Sequence, residues 1–181
     1  MSGELFYAAD ELSQIAINLF YGWGYNFYRV ENQLRADDLM IRAKAAWLLG
    51  EAATAVSAAE SDYRREFLPA PSRAKPFPDA EAVASAQKLE RLHRDLVAIE
   101  QFIHQLPAPE NDRMTQRYRL EAPTLFNLGQ FDQRLVGQCE LMRRSVTGVG
   151  AQAVLKALPD LDSGIAAIRA TLHDRQALLM N

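Results

Sequence analysis

Leu89-Glu90-Arg91-Leu92-His93-Arg94-Asp95-Leu96-Val97-Ala98-Ile99-Glu100-Gln101-Phe102-Ile103-His104-Gln105-Leu106 decides the fold. Leu89, Leu92, Leu96, Ile99, Ile103 and Leu106 recur at intervals of three and four. That spacing puts them on one face of an α-helix, as a heptad seam that a second helix must cover. Asp79 stands upstream as an N-cap, its carboxylate suited to the free N–H groups of a first helical turn. Pro107 and Pro109 end the segment, because proline supplies no N–H and clashes with the preceding turn.

The same pattern spreads in both directions. Upstream, Pro69, Pro71, Pro76 and Pro78 make residues 69–78 a linker that is neither helix nor strand. Before it, Leu34, Ile41, Leu48 and Ala55 repeat every seven residues, with Ala45, Ala52 and Ala59 between them. Small side chains at those positions let a neighbouring helix approach closely. Glu31 with Arg35 and Asp38 with Arg42 are i,i+4 pairs that favour one continuous helix. The expected span is Tyr28 to Phe67. Leu5, Ala8, Leu12, Ile15 and Leu19 give a first helix over Glu4 to Tyr21, which Gly22 and Gly24 stop supporting.

Downstream, Ala108 to Arg113 reads as a polar connection, and Met114 to Glu121 is ambiguous by pattern. Pro123 suits a first helical turn. The helix it opens carries Leu128, Phe131, Leu135, Met142 and Val146, and Gly148 and Gly150 break it. Ala151 to Leu158 reads as a short helical turn. Pro159-Asp160 then leads into a last helix with Leu161, Ile165, Ile168, Leu172 and Leu179 on one face. No strand alternation, hairpin turn or internal repeat stands out. The expectation is an all-α, antiparallel bundle of about five helices, with residues 1–181 as a single domain. The second and third helices form its long hairpin. Their seams are also long enough to serve a homodimer.

Composition narrows the function classes. The 181 residues are 49% hydrophobic and 24% charged, the balance of an ordinary globular protein. The net charge of −3 does not favour nucleic acid, whose binders are usually basic. Cys139 is the one cysteine, so neither an intramolecular disulfide nor a cysteine-rich zinc site can form. The N-terminal residues lack the basic and apolar regions of a secretory signal, and no uncharged apolar run is long enough to span a bilayer. A cytoplasmic protein without a cofactor is the expectation.

The most unusual stretch is Phe20-Tyr21-Gly22-Trp23-Gly24-Tyr25-Asn26-Phe27-Tyr28-Arg29. Trp23, Tyr25 and Tyr28 can anchor a partner or wall a ligand, because Trp, Tyr and Arg concentrate binding energy at interfaces. Asn26 adds a directional amide, and Arg29 can grip a carboxylate or phosphate with two parallel bonds. The plainer alternative is that these rings plug one end of the bundle with their polar tips in water.

Three other constellations carry less. Glu90 and His93 have the Glu-x-x-His spacing of di-iron bundles, with Glu100 and His104 further along. The chain has no second copy of that motif, so solvated flank residues are the expected reading and no metal site is assigned. Cys139 falls in the apolar periodicity of its helix, as a small core hydrophobe does. Arg113, Arg117 and Arg119 with Tyr118, extended by Arg143 and Arg144, can meet an acidic partner or simply be solvated. No nucleophile elbow, phosphate loop or dinucleotide fingerprint is present.

The sequence therefore suggests a non-enzymatic protein–protein interaction module, such as an accessory factor, chaperone or scaffold, working through residues 20–29. The alternative is a small-molecule-binding or catalytic bundle with a pocket walled by the same aromatics.

Overall fold

A computed structural model describes residues 3–20, 34–73, 76–106 and 122–180. Five α-helices and one 3-10 helix make up the described residues, with no strand among them. The 3-10 helix is Gly3–Tyr7. The α-helices are α1 (Ala9–Phe20), α2 (Leu34–Phe67), α3 (Ala80–Gln105), α4 (Ala122–Val146) and α5 (Ala151–Met180). The all-α bundle read from the periodicity is therefore the fold.

α3 forms as its sequence dictates. The Asp79 carboxylate accepts from the Glu81 N–H at 3.1 Å, which satisfies one free donor of the first turn. All six seam residues from Leu89 to Leu106 are buried. They lie on α2, where Ile41, Ala45, Leu48, Ala52 and Ala59 form the matching face. Arg42 donates to the Leu106 carbonyl at 2.6 Å near one end, and Arg64 pairs with Glu90 at 3.1 Å near the other. α2 and α3 therefore run antiparallel, as the long hairpin requires.

Cross-helix pairs fix the remaining directions. Arg91 meets Asp162 at 2.8 Å and Arg169 meets Asp95 at 3.1 Å, so α3 and α5 run parallel. Arg175 meets Asp132 at 2.6 Å, and Met142 packs beside Gly164, so α4 and α5 run antiparallel. It follows that α2 and α4 are parallel. The four long helices form a square in the order α2, α3, α5, α4. The chain from α3 to α4 thus joins helices on a diagonal, and the residues of that join, 107–121, lie outside the described ones.

α1 covers the outside of α4 and the 3-10 helix covers α5. Phe6, Leu12 and Ala16 are the residues they bury. This corrects the expected first stripe. Leu5 is exposed and Ile15 only half-buried. The chain takes a tighter 3-10 turn before Ala8, which rotates Phe6 inward. Phe6 then fits against Gly164, where an added Cβ would lie 2.6 Å from its ring.

Two further expectations change. The short turn and separate last helix become one helix, Ala151–Met180, with Pro159 inside it. A proline within a helix forfeits its own N–H bond. Burial of Val154, Leu158, Leu161, Ile165 and Ile168 on both sides of it outweighs that loss. The second helix is described from Leu34, so its expected start at Tyr28 lies outside the described residues.

Candidate functional site

The aromatic stretch read as the binding corner, Trp23, Tyr25, Asn26, Tyr28 and Arg29, lies outside the described residues. So do Arg113, Arg117, Tyr118 and Arg119. The other candidates can be placed. Glu90 pairs with Arg64, and Glu100 lies against Gly50 of α2. Among the described residues no group of three or more His, Cys, Asp or Glu side chains could hold a metal ion. Cys139 is fully buried in α4, and burial, with the nearby Glu140 charge adding to it, raises its thiol well above the ordinary range. A thiol so disfavoured as thiolate is not a nucleophile.

Arg143 and Arg144 are not a free basic patch. Both are held by Glu140, whose side chain is only 2% exposed. Arg143 donates to it through Nε at 2.8 Å and Nη2 at 2.9 Å, and Arg144 through Nε at 2.7 Å. Burial alone would push the Glu140 carboxyl up. The hydrogen bonds and charges of the two arginines outweigh it and hold the carboxyl below its usual range. Lys44 of α2 adds a third cation nearby. Its ammonium lies 4.1 Å from the centre of the Trp47 ring, a cation–π distance, and burial lowers its pKa against the opposing pull of Glu140. The ion pairs of this cluster lie within α4, and Lys44 brings an α2 charge beside them.

One concave feature among the described residues lies toward the C-terminal ends of α2 and α4, where α5 begins. A groove of about 430 Å³ runs between the last turns of α2 and the α4–α5 turn. Ala55, Ala58, Ala59, Tyr63 and Phe67 of α2 line it. Val146, Val149 and the Gly148–Gln152 backbone form the opposite wall. Helical spacing puts 55, 59, 63 and 67 one above another, so one stripe of α2 grades from small to aromatic. Tyr63 and Phe67 stack with ring centroids 4.6 Å apart and planes at 30°. Tyr63 is 5% exposed and fixed in the core, whereas Phe67 is 38% exposed. Gly148 makes the opposite wall possible. It ends α4 with φ 73°, a left-handed conformation that glycine adopts without penalty.

The lining of the groove contains Asp62, Glu66 and Gln152 but no His, Cys, Ser, Lys or Arg. No nucleophile faces a base there, and no cation is placed to stabilise an oxyanion. Sequence reasoning missed the groove and also Trp47, which lies 52% exposed on α2. The sequence pattern marks Phe67 only as the end of a helix. No family model, no curated protein and no solved structure matches the chain.

Proposed function

We propose that this chain is a non-catalytic protein-interaction module, of the accessory, chaperone or scaffold kind, whose groove between α2 and the α4–α5 turn receives part of another protein. The observation that carries this reading is the open groove walled by the apolar Tyr63, Phe67 and Val149 with Asp62 and Glu66 beside them. An exposed apolar concavity of this kind is what a partner's side chains fill. The Trp23–Arg29 stretch is a second contact on composition alone. A cytoplasmic setting suits a chain whose single cysteine forms no disulfide within it. The seam that suggested a homodimer is covered within the chain by α2, so α3 offers little of it to a second copy.

The volume of about 430 Å³ also falls in the range of small-molecule pockets. Against that reading, few polar side chains line the groove, and two of them are carboxylates on the same helix.

A photoreactive amino acid at Val149 tests the proposal in cell extract. Discrete cross-linked proteins are expected, and Ala58→Trp, which fills the groove from an exposed position, should remove them. The same cross-links with the groove filled would overturn the reading. Native mass spectrometry showing a bound small molecule, displaced by Ala58→Trp, would favour the alternative. For the aromatic stretch, Trp23→Ala should weaken partner binding by about 2 kcal/mol with little change in melting temperature. A large stability loss with unchanged affinity of the folded fraction would retire that contact.

A further inference from the structure

We infer that the occupant of the groove is an amphipathic helix that places a lysine or arginine against the α2 rim. This rests on the reading of the groove as a protein-docking site and names the chemistry of its partner.

The length of the groove is the first ground. Ala55 to Phe67 covers twelve residue steps of α2, or about 18 Å at helical rise. That matches about three turns of a second helix and exceeds what a compact small molecule needs. Ala55 and Ala58 leave room for a helix to lie close along α2. The half-exposed Phe67 ring stands at the end of that track as an anchor, and the buried Tyr63 ring beneath fixes its position.

Charge is the second ground. Asp62 and Glu66 stand one turn apart on the same side of the groove. They lie in the closing turns of α2, where the helix dipole adds further negative potential. No Lys or Arg is among the residues that line the groove. Arg64 is directed elsewhere, to Glu60 at 2.5 Å and Glu90 at 3.1 Å. Arg65 pairs with Asp62 at 2.6 Å, but both side chains are more than 70% exposed, so water competes strongly with that pair. Glu66 has no ion-pair partner among the described residues. The opposite wall begins α5, whose first N–H groups carry the positive end of a dipole. An occupant with its cation toward Glu66 and neutral or acidic residues toward Gly150–Gln152 satisfies both rims. A uniformly acidic helix meets repulsion at Glu66.

The test uses two fluorescein-labelled synthetic helical peptides with identical leucine spacing, one with lysine and one with glutamate on the polar face. Fluorescence anisotropy is read against the full chain. The Leu/Lys peptide should bind about tenfold or more tightly than the Leu/Glu peptide, and Glu66→Lys should remove that preference. Ala58→Trp should abolish binding of the Leu/Lys peptide. Circular dichroism and melting of each variant confirm folding, and Glu66→Gln repeats the charge test with a smaller perturbation. If both peptides bind equally and Ala58→Trp abolishes both, the cation inference is overturned while the groove stands as a docking site. If the Leu/Lys peptide binds and Ala58→Trp has no effect, the inference is overturned, because the cation is attracted elsewhere on an acidic chain. If neither peptide binds, it is likewise overturned, and the Val149 cross-links decide separately whether the groove takes a protein at all.

Discussion

Gly137 of α4 lies directly against the backbone of Leu12 of α1. A Cβ built on Gly137 would come within 2.8 Å of the Leu12 Cα and closer still to its carbonyl oxygen. The obstacle is main chain, so no rotamer change relieves it. Gly137→Ala must therefore push α1 off α4 or strain both helices. Overpacking a core commonly costs about 1–3 kcal/mol, and a backbone obstacle belongs at the upper end. Chemical denaturation should show that loss, and limited proteolysis should cut α1 faster than in the parent chain. An unchanged midpoint and digestion pattern would mean that α1 is not seated on α4.

The Glu140 cluster makes stability depend on acid. Its carboxyl titrates lower in the folded chain than the ordinary value of about 4.3 that it has when unfolded. The stabilisation is therefore present above the unfolded value and is lost as pH falls through the folded one. The melting temperature should drop on acidification below about pH 4.5, and less steeply in Glu140→Gln. At neutral pH the same substitution should cost about 1.5–3 kcal/mol, because two arginines lose a charged acceptor. An identical acid slope in parent and variant would assign the sensitivity to other carboxylates.

Asp132 and Arg175 form a second buried pair, with side chains 9% and 3% exposed. Neutralising one partner removes a charge-assisted hydrogen bond of 2.6 Å from the interior, so Asp132→Asn should destabilise by about 1.5–3 kcal/mol. Replacing both together, as Asp132→Leu with Arg175→Met, should return stability to within about 1 kcal/mol of the parent or above it. Urea titrations of the three chains decide this. A double variant as unstable as the single one would mean that the pair contributes far more than it loses by desolvation.

What the sequence disclosed follows from how many neighbours each helix has. α3 packs chiefly on α2, keeps a polar outer face, and shows its seam residue by residue. α4 touches α1, α2 and α5. Its residues from Leu135 to Met142 are all buried, including Gln138 and Glu140, so a one-stripe reading recovers only part of its contacts. The 3-10 turn that buries Phe6 is invisible in the sequence because no local signal separates Leu5 from Phe6 as the inward residue. The groove is hidden for another reason. It joins Ala55–Phe67 to Val146–Gln152, two segments far apart in the chain whose lining is mostly alanine, glycine and valine. Such residues carry no motif, and their concavity exists only once α2 and α4 lie parallel.

Pro159 offers the sharpest test of why local rules failed. It lies inside α5 on an exposed position, so its ring packs little. Its missing N–H leaves the Leu155 carbonyl without the usual i,i+4 donor, and a proline within a helix costs about 3 kcal/mol relative to alanine. Proline also restricts the unfolded chain, an effect worth about 0.4–1 kcal/mol in the opposite direction. The helical term is the larger, so Pro159→Ala should stabilise the protein by about 2 kcal/mol. In the same variant, amide hydrogen exchange should slow at the residues on either side of the substitution. A neutral or destabilising outcome would mean that α5 needs the proline ring at this position, and that the two-segment reading of the sequence described a real discontinuity.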